Sequence, residues 1–457
     1  MRSFFAIFCF ALAALPLAAQ PIDGVAKIDP GNVLVKNFQG WGVSLCWWAH
    51  VVGGYSNRDE YADLVFKDLP LNLVRYNIGG GENTNTDPGF MEYRCQIPGF
   101  EPARGVWDWD ADRNQRWMLQ AALARGVTRV EAFANSPPYW MTISGSVTGA
   151  KEGTNNLRAD CERDFVVYLA DVIKNLSQRD GIHFDSITPL NEPSSYWWAY
   201  GNHQEGCHVD QDQQIRLINL LSAELNRRGL HLLIDAPEDN DEQSSVDNLE
   251  NYPPETLKNI GQISTHSYKA NDPTNLQSLA ASLHQPLRQS EYGDGDETGM
   301  KLARRIRNDL VQLRPLSWSY WQGADYDGWG LLHNRLRENG RQQYNLTEKY
   351  FIFKQFTHFL PVGCDLLDCG DTNSVAGYDP ASHTLSIVSV NDSSSDLTVT
   401  YDLSAFAMSS PQAESYRTSD FDSFQKLAPL NVRNQSLTST LPSRSVTTFV
   451  IQNVATK

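Results

Sequence analysis

The chain has 457 residues, 41% of them hydrophobic and 20% charged, with a formal net charge of −16. That length accommodates one domain of roughly 250 residues or more plus a smaller one, and the composition excludes a disordered chain. The acidic balance argues against a nucleic-acid surface, which needs a cationic footprint, and disfavours a polyanionic substrate.

The chain opens with "MRSFFAIFCFALAALPLAAQ". A cationic Arg2, an apolar run from Phe4 to Leu15 and the small residues Ala18 and Ala19 have the form of a secretory leader removed near Ala19 or Gln20. The alternative is a membrane anchor, but the run falls short of the roughly 20 residues of a bilayer span, and no later segment is apolar enough to cross. Outside the leader's Cys9 stand Cys46, Cys95, Cys161, Cys207, Cys364 and Cys369. In an exported chain they suggest disulfides, with Cys364 and Cys369 the simplest pair to close. Asn-x-Ser/Thr acceptors occur at Asn175, Asn345, Asn391 and Asn434.

"VAKIDPGNVLVKNF" reads as a hairpin expected to join a sheet made by the other end of the chain. Eight short apolar runs then follow: 40–45, 72–78, 128–135, 185–192, 231–238, 262–268, 286–293 and 316–322. Such runs suit strands buried on both faces. Helical patterns separate them. One runs from Arg113 to Arg125 and stops at Gly126. Another aligns Phe165, Leu169, Val172, Ile173 and Leu176 before Gly181, and a third aligns Ile215, Ile218, Leu221 and Leu225 before Gly229. Eight strands alternating with helices over about 310 residues match a (β/α)8 barrel. A doubly wound open sheet would use fewer strands and show a phosphate loop. After Pro361, "HTLSIVSVNDSSSDLTVTYDL" and "RSVTTFVI" alternate apolar and polar residues and read as antiparallel hairpins. The expected division is a leader at 1–19, side-layer strands at 20–38, a catalytic barrel at 39–358 and a C-terminal β-sandwich at 359–457.

In such a barrel the chemistry sits at the C-terminal ends of the strands. Glu192 ends the fourth run in "PLNEP" and Glu291 ends the seventh in "LRQSEYG". Two carboxyl groups on nearby strand ends are what glycoside hydrolysis requires: one donates a proton to the leaving oxygen, the other attacks the anomeric carbon or activates water. Pro193 is expected to hold Asn191 and Glu192 extended. Surface caps or arginine partners would account for either acid alone; the pair favours catalysis. Indole rings suit the apolar C–H faces of sugars. Trp47 and Trp48 follow the first run, Trp197 and Trp198 the fourth, and Trp318 and Trp321 lie on the eighth. Of these Trp48, Trp198 and Trp321 are the expected sugar contacts. Arg75, Asn135 and Tyr268 occupy the second, third and sixth runs. Arg75 is placed to keep an attacking carboxylate ionised, Tyr268 to hydrogen-bond Glu291, and Asn191 to hold a sugar hydroxyl; core salt bridges and turn contacts are the alternatives.

Other chemistries lack their residues. "GGGEN" at 79–83 has no Lys-Ser/Thr, "DGDE" at 294–297 lacks full calcium-loop spacing, and "HQEGCH" at 203–208 lacks zinc spacing. No G-x-S-x-G elbow occurs. No metal or organic cofactor, nucleic acid or membrane partner is expected; the expected partner is an oligo- or polysaccharide, bound by a monomer.

Together "GWGVSLCWWAHVVGG", "LNLVRYNIGGGEN", "EAFANSPPYWMTISG", "ITPLNEPSSYWW", "GNHQEGCH" and "RQSEYGDGD" resemble glycoside hydrolase family 30, and its endo-β-1,6-galactanase branch in particular. The resemblance covers nearly the whole chain after the leader. It implies a barrel fused to a side β-sandwich built from both chain ends, and a retaining double displacement. It implies Glu192 as acid/base and Glu291 as nucleophile, with Arg75, Tyr268 and Trp321 around the cleaved bond. A retaining pair stands about 5–5.5 Å apart. The activity implied is a secreted endo-β-1,6-galactanase acting on arabinogalactan side chains. A β-1,6-glucanase, a xylanase or a glucosylceramidase-like enzyme remains open, as does a carbohydrate-binding protein without activity.

Overall fold

The computed structural model describes residues 24–269, 272–337, 343–409 and 411–457; the expected leader lies outside them. Two short strands open the fold, β1 (Val25–Lys27) and β2 (Val33–Val35). Then come the eight barrel strands: β3 (Gly40–Ser44), β4 (Leu73–Asn77), β5 (Arg129–Phe133), β6 (Ser186–Thr188), β7 (Leu233–Asp239), β8 (Gln262–His266), β9 (Leu287–Tyr292) and β10 (Ser317–Tyr320). Each pairs in parallel with the next, and β10 closes the barrel on β3 through Ser317 opposite Gly40. All eight expected runs are therefore strands.

Helices cover the outside: α1 (Trp48–Val52), α2 (Arg58–Ala62), α3 (Arg113–Leu123), α4 (Glu162–Asp180), α5 (Gln211–Arg228), α6 (Glu242–Asn251), α7 (Pro254–Leu257), α8 (Thr274–Leu283), α9 (Met300–Asn308) and α10 (Glu348–Phe359). In α4 the residues Phe165, Leu169, Val172, Ile173 and Leu176 are all buried, as their spacing requires. Gly181 (φ 68°) and Gly229 (φ 67°) end α4 and α5 in the left-handed conformation that glycine adopts without a Cβ penalty. Asp210 starts α5 by accepting the amide hydrogen of Gln213.

A small sheet, β11 (Gln322–Asp325), β12 (Gly330–His333) and β13 (Asn345–Leu346), follows the last barrel strand. The side domain contains β14 (Asp365–Leu367), β15 (Ser374–Asp379), β16 (Thr384–Asn391), β17 (Leu397–Asp402), β18 (Phe406–Met408), β19 (Gln412–Ser419), β20 (Asp422–Asn431), β21 (Ser436–Leu441), β22 (Ser445–Ile451) and β23 (Val454–Thr456). Seven strands form one layer in the order β2-β14-β15-β16-β22-β19-β20, and β1-β17-β21 form a second. Both ends of the chain thus build the sandwich.

Two hairpin expectations need correction. β1 does not pair with β2: it runs parallel to β17, while β2 pairs with β14. β16 and β17 do not pair either, because the turn between them carries the chain from one layer to the other. β16 is buried on both faces for a related reason. Val388 and Val390 pack into the barrel-side core, while Leu385 and Ile387 pack into the core between the two sandwich layers. β22 divides in the same way, Val446 and Val450 against Phe449 and Ile451. The expected disulfides are absent among the described residues: all six cysteines are free and buried, Cys364 and Cys369 included. Asn391 is also buried, its amide donating to the carbonyls of Ser395, Leu441 and Pro442, so it offers no glycan attachment point.

Candidate active site

Five strand ends bring ionisable side chains together over the barrel mouth. Arg75 comes from β4 and Glu192 from the turn after β6, while Glu238, His266 and Glu291 come from β7, β8 and β9. His266 lies opposite Glu291 in the β8–β9 register, so both face the same layer. Arg75 is fully buried and donates from Nη1 to Glu291 Oε2 at 2.7 Å and from Nη2 to Glu238 Oε1 at 2.7 Å. It also donates to Ser44 Oγ and Asn191 Oδ1 and lies over the Phe133 ring at 4.3 Å. An isolated buried charge costs several kcal/mol; here Glu238 and Glu291 outweigh the burial and raise the guanidinium's pKa further.

His266 is the second cation. Its Nδ1 lies 3.0 Å from Glu192 Oε1 and 3.6 Å from Glu291 Oε1, and its Nε2 lies 3.4 Å from Glu238 Oε1. Burial pushes the imidazole down, but three carboxyl groups lift it to about 10, so it is an imidazolium at neutral pH. Glu238 feels the reverse: burial pushes it up, and Arg75 and His266 bring it down to about 2. Burial drives Glu291 upward, His266 and Arg75 oppose that, and Glu192 adds to it. Tyr268 donates its hydroxyl to Glu291 Oε1 at 2.9 Å, and burial with the neighbouring carboxylates keeps that phenol protonated. Glu192 Oε1 accepts from Asn240 Nδ2 at 2.7 Å, and the Trp198 indole donates to the Glu192 carbonyl at 3.1 Å.

The backbone at both turns departs from the extended form expected before Pro193. Strand β6 stops at Thr188, and Glu192 has φ 48°; Glu238 has φ 63°. Such positions cost on the order of 1–3 kcal/mol each in non-glycine residues and persist where surrounding contacts over-determine them. One such contact is the Glu192 amide donating to the Glu238 carbonyl at 2.9 Å.

Above these groups lies a cleft of about 380 Å³ lined by Trp47, Asn135, Asn191, Glu192, Trp197, Trp198, Gln204, Asn240, Tyr268, Glu291, Trp321 and Trp329. Of the residues singled out in the sequence, Asn135, Asn191, Glu192, Trp198, Tyr268, Glu291 and Trp321 line it, and Arg75 lies beneath it. Trp48 does not. Its indole donates to the Ser44 carbonyl, packs near Phe66 and leaves no room for a Cβ on Gly323. The neighbouring Trp47 is the cleft residue, edge-on to Trp321 at 5.0 Å. Trp318 is likewise core, donating to Asp309 Oδ2. Glu238, His266 and Asn240 escaped the sequence reading, although the first two had a signal. Glu238 closes the fifth run as Glu192 closes the fourth, and His266, the last residue of β8, stands two residues before Tyr268 in the sixth run. Glu192, His266 and Glu291 are close enough to share a cation, but both Glu291 oxygens already accept from Arg75 and Tyr268, and positive charge is in place.

A closed parallel barrel with carboxylates gathered at its C-terminal mouth, under a tryptophan-walled trench, defines a barrel glycosidase. The chain belongs to O-glycosyl hydrolase family 30, whose model matches residues 26–286. It is 31% identical to the endo-β-1,6-galactanase of Hypocrea rufa, over 94% of this chain and 95% of that protein. It is 23% identical to an exo-β-1,6-galactobiohydrolase of Bifidobacterium longum subsp. longum, covering 87% of this chain but 36% of that longer protein. The structure of a family 30 endoxylanase from Clostridium papyrosolvens C71 shares the fold at 20% identity, with a TM-score of 0.69 over 94% of this chain and 100% of that one.

Proposed function

We propose that this glycosidase is a retaining endo-β-1,6-galactanase, with Glu291 as nucleophile and Glu192 as acid/base. The observation that carries the proposal is the closeness of the two acids: a carboxyl oxygen of each lies within 4.8 Å of one of the other, and both approach the same nitrogen of His266, Nδ1. Retaining pairs stand about 5–5.5 Å apart, whereas inverting pairs leave about 6.5–9.5 Å for a water.

Charge and hydrogen bonding divide the roles. Arg75 and His266 supply two positive charges, and Glu238 and Glu291 balance them as anions. The acid role requires one of the two facing carboxyls to carry a proton. Glu291 has no room for that proton, since both its oxygens face donors. Glu192 has, because Oε1 takes the hydrogen bonds from Asn240 and His266 and Oε2 accepts none among the described residues. Glu291 then attacks the anomeric carbon, the glycosidic C–O bond breaks, and the leaving oxygen takes the Glu192 proton. In the second step Glu192 takes a proton from water, whose oxygen displaces Glu291.

Asn135, Asn191, Tyr268, Trp198 and Trp321 hold the sugar, and Trp47 takes the place expected for Trp48. We assign residues 39–358 to catalysis and 20–38 with 359–457 to the side domain, in a monomer exported by its leader. No described helix is long and apolar enough to cross a membrane. The Hypocrea rufa relative supports the linkage assignment. Linkage analysis of products from β-1,6-galactan, β-1,6-glucan and xylan tests it: galactose oligomers from the first alone are expected. Release of glucose oligomers at an equal rate from the second would replace galactan by β-1,6-glucan.

A further inference from the structure

The turn that follows Glu192 carries three aromatic residues in a row. Trp198 is buried in the cleft wall. Trp197 also lines the cleft, yet it is 41% exposed, and its ring meets Trp198 edge-on at 6.0 Å. Tyr196, 75% exposed, stands edge-on to Trp197 at 6.1 Å. The rings therefore lead from the buried cleft outward to solvent. Single exposed aromatics are ordinary; an exposed run continuous with a binding trench marks a contact surface.

The backbone under this run is fixed. Gly149 (φ 129°) packs so closely on the Trp198 carbonyl that a Cβ would stand 2.2 Å from its oxygen. Gly153 (φ 64°) makes the same approach to the Tyr196 carbonyl, where the distance would be 2.0 Å. Between them the Tyr200 amide donates to the Ala150 carbonyl at 2.9 Å, and Ala150 pairs with Ala199. Residues 149–153 thus hold the turn along its length, and Tyr196 is presented to solvent on a braced backbone. A platform ordered before binding loses little conformational entropy when a ring settles on it.

We infer that Tyr196, with Trp197 leading to it, forms a distal sugar-binding platform for the glycan chain on the leaving-group side of the cleaved bond. The ligand class is a β-linked hexopyranose chain, whose C–H faces match an aromatic ring. The side follows from the roles proposed above, on which this inference rests. Glu192 delivers its proton to the leaving oxygen, and the platform extends from the turn that carries Glu192. Trp321 and Trp329 line the cleft with Glu291 instead, Gly293 packing on the Trp321 Cβ and the Trp329 ring. Occupation of this platform lengthens the stretch of chain the enzyme reads.

The test compares wild type, Tyr196→Ala and Tyr196→Trp on linear β-1,6-linked galactose oligomers of increasing length. Tyr196→Ala is expected to lower kcat/KM by about five- to tenfold on the longest oligomers, mainly through KM, and progressively less as they shorten. Tyr196→Trp retains most of the wild-type value, and the cleavage position in long oligomers shifts in the alanine variant. A loss equal at every length, no loss at any length, or a loss that Tyr196→Trp does not restore overturns the platform. Wild-type activity on the same series tests the galactan reading separately. Should the wild type cleave only glucose oligomers, the galactan reading fails, and the length dependence is measured on those; its absence there overturns the platform too.

Discussion

The Nδ1 atom of His266 lies 3.0 Å from Oε1 of Glu192. In the proposed mechanism an imidazolium at that distance stabilises the carboxylate left when Glu192 gives up its proton. Because His266 also faces Glu291, it couples the two acids.

Replacing either acid separates their roles. Glu192→Gln is expected to lower kcat by about 10²–10⁴-fold, the usual contribution of a positioned acid or base. Glu291→Gln removes the covalent path altogether and falls further. With azide present, Glu192→Ala yields the glycosyl azide with the substrate's β configuration, because azide attacks the glycosyl-enzyme. Glu291→Ala yields the α azide by direct displacement. Proton NMR of the products reads both, and an inverted product from the Glu192 variant would refute the retaining pathway.

Stability is expected to fall on both sides of a mildly acidic window. His266 is raised from 6.5 to about 10, so its contribution is complete below pH 6.5 and is lost as pH rises through about 10. Glu238 is lowered from 4.5 to about 2, so its contribution is present above pH 4.5 and is lost as pH falls through about 2. Burial raises the carboxyl of Asp112 from 3.8 to about 7 and that of Glu205 from 4.5 to about 8, so each costs stability progressively as pH rises between those values. Tm measured against pH checks this: the maximum lies near pH 4.5, where Glu238 is fully ionised and Asp112 and Glu205 cost least, and His266→Gln flattens the limb above pH 6.5.

The two adjacent tryptophans should respond oppositely. Trp48 is fully buried, so Trp48→Ala costs about 3–5 kcal/mol of stability, the usual range for a large core aromatic. Trp47 lines the cleft with its ring edge-on to Trp321. Trp47→Phe is expected to raise KM several-fold while Tm changes much less. Thermal melts and steady-state kinetics on the same preparations separate the effects.

Thiol chemistry offers a simple check on the cysteines. The six cysteines among the described residues are free and buried. The native protein should react slowly with a thiol reagent, and the denatured, unreduced protein should expose all six. Four or fewer after denaturation would mean that a disulfide forms.

Much of the barrel was legible because a strand buried on both faces leaves a short apolar run, and all eight such runs became strands. Glu192 and Glu291 stood out as a pair: a cap or an arginine partner would explain one acid at the end of such a run, but two fit a catalytic pair. Glu238 has the same signature, yet its partners Arg75 and His266 come from distant runs, and only the closed barrel brings them together. Trp47 and Trp48 were indistinguishable in sequence: α1 begins at Trp48 and turns that ring into the core. The side domain's pairing was partly hidden because alternation marks a strand without naming its neighbour. β16 and β17 read as one hairpin and belong to different sheets.

The parallel pairing of β1 with β17 places Val25 beside Thr400. During synthesis β1 must therefore wait until residues 400–402 have emerged before it finds its seat. Until then the inner face of Val25–Lys27, with Ala26 at its centre, has no cover. A chain halted before residue 397 holds all eight barrel strands yet leaves β1 without its neighbour.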